Sequence, residues 1–267
     1  MARDIQDKRI LITGASSGIG KCLAQQFAPM GAKLILAARS EDKLNALADS
    51  LPIPKENVLV VPTDVTKEED RAHLFERTVA QFGGLDVLIN NAGIASWAHF
   101  ADSTEEILRQ IMEVNFFAPA ELIRKAIPIL TDGVEPAIVN VASRCGRRAL
   151  PAWSEYSASK YALCGLTEAL RGELARFEID ILLIIPGLTK SDFPQHFLRS
   201  EGKEKIEFDN GMPAEDVAAR IIYSLQKSTT ETWIGWDTYW MLIINRWFPR
   251  LVDWLMARRV RQLYEAG

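Results

Sequence analysis

Tyr156 and Lys160 stand four residues apart in YSASKYALCGLTEALRGELA, and Ser143 precedes the tyrosine by thirteen residues at the end of the apolar run AIVNVAS. Residues i and i+4 share one face of a helix, so a phenol and an ammonium would lie side by side there. A free tyrosine titrates at roughly 10, and a neighbouring cation draws that value down toward neutrality. The pair is then a proton donor and acceptor suited to a carbonyl. A tyrosine and a lysine at this spacing occur by chance on many amphipathic helices, so their meaning depends on what surrounds them.

Aliphatic and β-branched runs recur between amphipathic stretches: RILIT, KLILAAR, VLVVPTD, DVLINNA, AIVNVAS and DILLIIPG. Six such strands, each followed by helical material, predict a parallel sheet covered on both faces, because parallel strands need crossover connections. The expected fold class is α/β, a doubly wound, mostly parallel sheet. Ligands of such sheets bind outside the carboxyl ends of the strands. Gly14, Arg39, Asp64, Asn91, Ser143 and Pro186 follow the six strands in turn, so all six converge on one crevice.

The segment TGASSGIG, residues 13–20, joins the first strand to a helix beginning near Gly18. Glycine admits positive φ and a close approach of backbone N–H groups to a pyrophosphate, and the helix N-terminus adds partial positive charge. The spacing Gly14, Gly18, Gly20 departs from the G-x-G-x-x-G fingerprint. A tight strand-to-helix turn without a ligand is the alternative. After the second strand, where an acid commonly holds the ribose 2′-hydroxyl of NAD, the chain reads AARS. An arginine there binds a 2′-phosphate through charge-assisted bonds, so Arg39 favours NADP(H) over NAD(H), unless it merely opens the next helix as a solvated residue. Ser17 supplies no second cation.

The chain has 267 residues, 48% of them hydrophobic, and no Ser/Gly/Pro linker, which suits one domain with a large core. Residues 1–232 are expected to bind the dinucleotide and carry catalysis, and 233–267 to form an amphipathic extension. The net charge of −4 gives no footprint for nucleic acid. Cys22, Cys145 and Cys164 are too scattered for a disulfide frame or a zinc site and read as small buried residues in a reducing, cytoplasmic setting. His73, His99 and His196 lack ligand spacing and read as surface or loop residues, so no metal is expected. The charged start MARDIQDKRILITG enters a strand directly, so no targeting segment is expected.

Taken together, TGASSGIG, Asp64 in TDV, NNAG at 90–93, Asn115 in MEVNFFAP, Ser143, Tyr156-x-x-x-Lys160, and Pro186-Gly187 with Ser191 resemble the short-chain dehydrogenase/reductase family over nearly all of residues 7–225. The resemblance implies a Rossmann fold and a nicotinamide cofactor. It also implies that Tyr156 protonates the alkoxide in ketone reduction, or takes the hydroxyl proton in alcohol oxidation. Lys160 holds the nicotinamide ribose and keeps the tyrosine acidic, and Ser143 hydrogen-bonds the substrate oxygen. Asn115, on a helix starting after Glu113, holds a water that links Lys160 to solvent. Gly14, Ser16, Ser17, Gly18, Ile19 and Gly20 are assigned to the pyrophosphate, Asp64 with Val65 to the adenine, and Asn91 with Ala92 and Gly93 to the adenine ribose. Pro186, Gly187, Thr189 and Ser191 flank the carboxamide, with Ser191 where the family often has threonine.

Residues 188–212 turn polar and irregular, as a mobile lid over substrate does. Ile94, Trp97 and Phe100, with Ala149 to Trp153, offer an apolar wall that favours a hydrophobic carbonyl or alcohol. Five of the seven tryptophans, Trp233, Trp236, Trp240, Trp247 and Trp254, crowd the extension together with Arg246, Arg250, Arg258, Arg259 and Arg261. Pro249 interrupts its helical spacing. Such a face suits a membrane interface, a neighbouring subunit of a homodimer or homotetramer, or a roof over the cleft. The tail is also similar to that of membrane-associated family members such as the 11β-hydroxysteroid dehydrogenases, although no N-terminal anchor is expected here. The activity expected is hydride transfer between NADP(H) and a lipid- or steroid-like ketone, aldehyde or alcohol. A 3-ketoacyl or small-polyol enzyme and a non-catalytic dinucleotide sensor remain alternatives.

Overall fold

A computed structural model describes residues 2–203 and 206–265. Glu204 and Lys205 of the expected lid, and the last two residues of the extension, lie outside the described residues. Eleven strands form in chain order: β1 Arg9–Thr13, β2 Lys33–Ala38, β3 Val58–Pro62, β4 Val87–Asn90, β5 Ala95–Trp97, β6 Ala137–Val141, β7 Asp180–Pro186, β8 Thr189–Lys190, β9 Phe197–Ser200, β10 Met212–Pro213 and β11 Glu231–Ile234. Seven of them make one parallel sheet in the order β11-β7-β6-β4-β1-β2-β3, while β5 with β9 and β8 with β10 form small accessory pairs. The sequence order reverses between β1 and β4, which opens a crevice above their carboxyl ends.

The central strands are buried on both faces, which explains their unbroken aliphatic runs. Ile10, Ile12, Leu34, Leu36, Val87 and Ile89 point to one side, where they meet α1 (Gly18–Phe27), α2 (Glu41–Ser50) and α7 (Ala214–Gln226). Leu11, Ile35, Leu88 and Ile138 point to the other, against α3 (Glu68–Phe82), α5 (Ala118–Leu130) and α6 (Ser154–Leu174). Each such side chain contributes about 1.5–3 kcal/mol by burial, so register is strongly enforced.

The six expected strands are present. The seventh, β11, joins the sheet beside β7 and runs across the expected 232/233 boundary. Its sequence ETWI is half polar because an edge strand is only partly buried. Asn115 also sits differently from its expected place. The helix does not start after Glu113: α4 (Glu105–Met112) already precedes it, and Glu113–Phe117 is a π-helical turn leading into α5. The extra residue in that turn rotates Asn115 inward, where it is fully buried.

The extension forms α8 (Trp236–Trp247) and α9 (Pro249–Glu265), with Pro249 opening the second helix, where no backbone N–H partner is required. Leu242 anchors α8 against Leu163, Leu183 and Ile185. Arg144 pairs with Asp237 at the start of α8, and Arg148 with Asp253 on α9 at 2.6 Å. Val252 is buried and Met256, Val260 and Leu263 are half-buried, so they form one stripe facing inward, while Leu251 and Trp254 face out. Trp236 and Trp247 remain 77% and 72% exposed. No helix among the described residues is long and apolar enough to cross a membrane.

Candidate active site

A cleft of about 1120 Å³ runs from Arg39 at one end to Val260 at the other. Its floor at the first end is the β1–α1 loop, where Gly14 and Gly18 adopt φ +65° and +50°. A Cβ on Gly20 would overlap the Gly14 carbonyl oxygen, so only glycine lets α1 start this close to the strand. Helix α1 has no acid in its first turn, and Ser17 at its N-cap makes no side-chain cap bond. The positive end of the helix dipole therefore faces the cleft without compensation. These features fit a dinucleotide pyrophosphate. Ser16, Ser17 and Ile19 line this cradle.

The loop after β4 is tied to the cradle through Thr13, whose hydroxyl accepts from the backbone N–H groups of Asn91 (3.0 Å) and Ala92 (3.1 Å). The Asn91 amide donates back to the Thr13 carbonyl at 2.9 Å. Asn91 therefore lines the cleft while its side chain shapes the loop beneath. Beside it, Val65 and Asp64 reach the cleft after β3. Burial works against the Asp64 carboxylate, yet bonds from Thr66 together with nearby Arg39 and Lys67 hold its pKa below the ordinary value. Arg39 is exposed at the rim.

At the centre, Ser143 after β6 and Tyr156 and Lys160 on α6 come together, all of them nearly buried. Ser143 neighbours the Tyr156 phenol and favours its ionised form. Lys160 Nζ lies 5.7 Å from the centre of the Tyr156 ring and donates to the Val141 carbonyl at 3.0 Å. The electrostatics differ from the expected lowering of the tyrosine. Burial pushes the Tyr156 phenol above its ordinary value, with Cys145 adding to the rise and Ser143 and Arg144 opposing it. Burial also pulls Lys160 down to about 8. Desolvation of both partners outweighs their mutual influence.

Asn115 joins the π turn to its surroundings. Its amide nitrogen donates to the Ile94 carbonyl (2.9 Å) and Ser159 Oγ (3.0 Å), and its oxygen accepts from Ile94 N–H (3.0 Å). Behind it runs a buried chain that sequence reasoning missed, in which Asn90 donates to Asn140 and Asn140 to Thr167, each at 2.9 Å. The alternation of strands β4 and β6 puts both asparagines on one face, but nothing in their spacing announces the pairing.

Pro186 ends β7, and with Gly187, Thr189 and Ser191 after it borders the cleft. The described part of the segment expected to be a lid is built of short pieces: β8 pairs with β10, and β9 with β5. Its Phe193, Phe197 and Phe208 continue a chain of aromatic contacts from Tyr156 and Trp153, with centroids 5.4–5.9 Å apart. Ile94, Leu150, Pro151 and Trp153 line the cleft, but Trp97 packs over Gly202 and Phe100 is 63% exposed, so neither belongs to its wall. Leu255, Met256, Arg259 and Val260 of α9 complete the roof. His196, read from the sequence as a surface or loop residue, lies on the lid and borders the cleft. Among the described residues no cluster of three or more His, Cys, Asp or Glu is placed to hold a metal. The three cysteines are buried and free.

A dinucleotide cradle continuous with a buried Ser–Tyr–Lys group defines a nicotinamide-dependent oxidoreductase. The family model described as short chain dehydrogenase matches residues 8–201, and the chain belongs to that family. It is 35% identical to 11-beta-hydroxysteroid dehydrogenase-like 2 of Arabidopsis thaliana over 95% of this chain and 82% of that protein. In three dimensions it is similar to a short chain dehydrogenase/reductase from Burkholderia phymatum in complex with NAD (TM-score 0.85, 24% identity, 93% of this chain and 96% of that one). A short chain dehydrogenase from Burkholderia cenocepacia in complex with NADP is also similar (TM-score 0.79, 23% identity, 95% and 99%). These two likenesses carry the fold.

Proposed function

We propose that this chain interconverts a hydrophobic ketone or aldehyde and its alcohol, using NADP(H) in preference to NAD(H). The observation that carries this reading is the phenol of Tyr156, set beside Ser143 at the point where the dinucleotide cradle meets an apolar, aromatic-walled cavity. The bound dinucleotide supplies or accepts the hydride. Ser143 orients the substrate oxygen, and Tyr156 gives its phenolic proton to that oxygen in reduction and takes it back in oxidation. Lys160 donates to the ribose and, through its charge, steadies the tyrosine. Asn115 has its side chain engaged with Ile94 and Ser159, so a proton-relay water would sit on its main-chain carbonyl.

The cofactor preference rests on Arg39, and no acid follows it in the turn AARS. Arg39→Asp removes a partner of the 2′-phosphate and adds repulsion, and should shift the NADPH-to-NADH ratio of dissociation constants by about 100-fold toward NADH. An unchanged ratio would rule Arg39 out as the discriminator.

The extension is proposed to dock on an anionic lipid surface beside the substrate entrance. Trp247, Phe248, Leu251 and Trp254 are exposed together with Arg246, Arg250 and Arg258, and an interface of headgroups satisfies both chemistries. Replacing Trp236, Trp247 and Trp254 with Ser leaves the Leu242 and Val252 anchors in place. The parent should pellet with anionic liposomes in a salt-sensitive manner and the triple variant should not. A parent that stays in the supernatant would remove the membrane reading. A smaller oligomeric mass in the triple variant would then assign the surface to a second copy of this chain in a homodimer or homotetramer.

A further inference from the structure

The adenosine end of the cleft holds an imidazole that the proposed chemistry does not use. His196 ends the short helical turn Phe193–His196 of the lid, and its Nε2 lies 3.5 Å from Oγ of Ser17, at the long limit of a hydrogen bond. Two cations from other elements approach the same ring: Arg39 at the end of β2 and Lys43 in α2. The acid that acts on it is Asp192, in its own segment; Asp64 acts on Arg39 and is engaged with Thr66. Burial and then the two cations hold the ring below its ordinary 6.5, with Asp192 opposing. A neutral imidazole beside two cations and an uncapped helix N-terminus is arranged around a missing negative charge.

We propose that His196 is a lid-borne ligand of the cofactor 2′-phosphate, closing on it opposite Arg39 and selecting NADPH by binding a proton as the phosphate arrives. The inference rests on the NADP(H) preference proposed above. The phosphate carries close to two negative charges at neutral pH. Its arrival reverses the local potential, so the ring that is neutral in the free protein becomes a cation and a charge-assisted donor. No sequence spacing connects residue 196 with residues 17 and 39; only the fold of the lid does.

Calorimetric titration of the full-length protein with NADPH and with NADH, in two buffers of different ionisation enthalpy near pH 7.5, reads the linked proton directly. The parent should take up more of a proton with NADPH than with NADH, any uptake common to both belonging to Lys160, which burial holds at about 8. His196→Gln should bind NADPH about 5- to 10-fold more weakly, lose the excess uptake, and keep its NADH affinity within about two-fold. The ratio of its NADPH to NADH affinity should also lose the parent's fall between about pH 7 and about pH 8.5. Unchanged NADPH affinity and proton uptake in the variant would overturn the inference while the NADP(H) reading stands. So would equal weakening toward both cofactors, since that marks a contact with the shared pyrophosphate. A parent that binds NADH more tightly than NADPH in the same titrations would sink the underlying reading instead.

Discussion

Tyr156→Phe should reduce hydride transfer by about 100- to 10,000-fold while binding NADPH within about three-fold of the parent. The substitution removes one oxygen and keeps the ring, whose edge contacts with Trp153 and Phe193 (centroids 5.5 and 5.9 Å) hold it in the cavity. Ser143 can still position the substrate oxygen, but no proton reaches it as the hydride arrives. Because burial pushes the phenol upward, the parent keeps its proton through the physiological range, which suits reduction. Alcohol oxidation needs the phenolate, so its rate in the parent should climb with pH, and that climb should vanish in the variant. Single-turnover absorbance of the reduced nicotinamide, with a panel of steroid and long-chain ketones, measures both. Rates within a few-fold of the parent would place the acid elsewhere.

The parts of the molecule that were legible in the sequence are those where one physical demand acts on consecutive residues. Strands β1, β2, β4, β6 and β7 are buried on both faces, and each is an aliphatic run. The cradle needs Gly14, Gly18 and Gly20 because a side chain at these positions meets strained backbone or the loop itself. Strand β11 was harder to see, because at a sheet edge the alternation of Glu231, Thr232, Trp233 and Ile234 is that of a half-exposed segment. The π turn at Asn115 hides for a different reason: one extra residue in a turn leaves the helical apolar pattern of α4 and α5 nearly unchanged.

The segment 188–212 was legible as a polar interruption but not as a wall. Phe193 meets Tyr156, Phe197 meets Trp153 and Phe208 meets Phe197 where β9 pairs with β5 and β10 with β8, and pairings of two to four residues leave no periodic trace. The tail's tryptophans and arginines were visible at once, yet which of its residues faced inward was not. The stripe Val252, Met256, Val260 and Leu263 turns toward the protein, although the larger Trp254 lies between its members. Size alone misleads there, since the direction of α9 is set by the Arg148–Asp253 pair and by the burial of Val252.

Lys160→Met should separate function from stability, losing about 100-fold in hydride transfer while raising resistance to urea at neutral pH. The ammonium is almost fully buried, and burial holds its pKa at about 8 against the ordinary 10.5. A folded-state value below the unfolded one means that the unfolded chain binds more protons between those two limits, so stability rises with pH across that window. Below about 8 the folded protein carries the whole cost of the buried charge, on the order of 3 kcal/mol for a displacement of this size. Methionine is of similar length, is apolar and bends to fit. It forfeits the 3.0 Å bond to the Val141 carbonyl, a loss of about 1 kcal/mol. The variant should therefore be roughly 1–2 kcal/mol more stable than the parent near pH 7, and this advantage should shrink as pH rises from about 8 toward 10.5, where the parent sheds the proton. Urea titrations of both proteins near pH 7 and near pH 10 decide the matter, because a difference that stays constant with pH would mean that the Lys160 ammonium is not held down by burial at all.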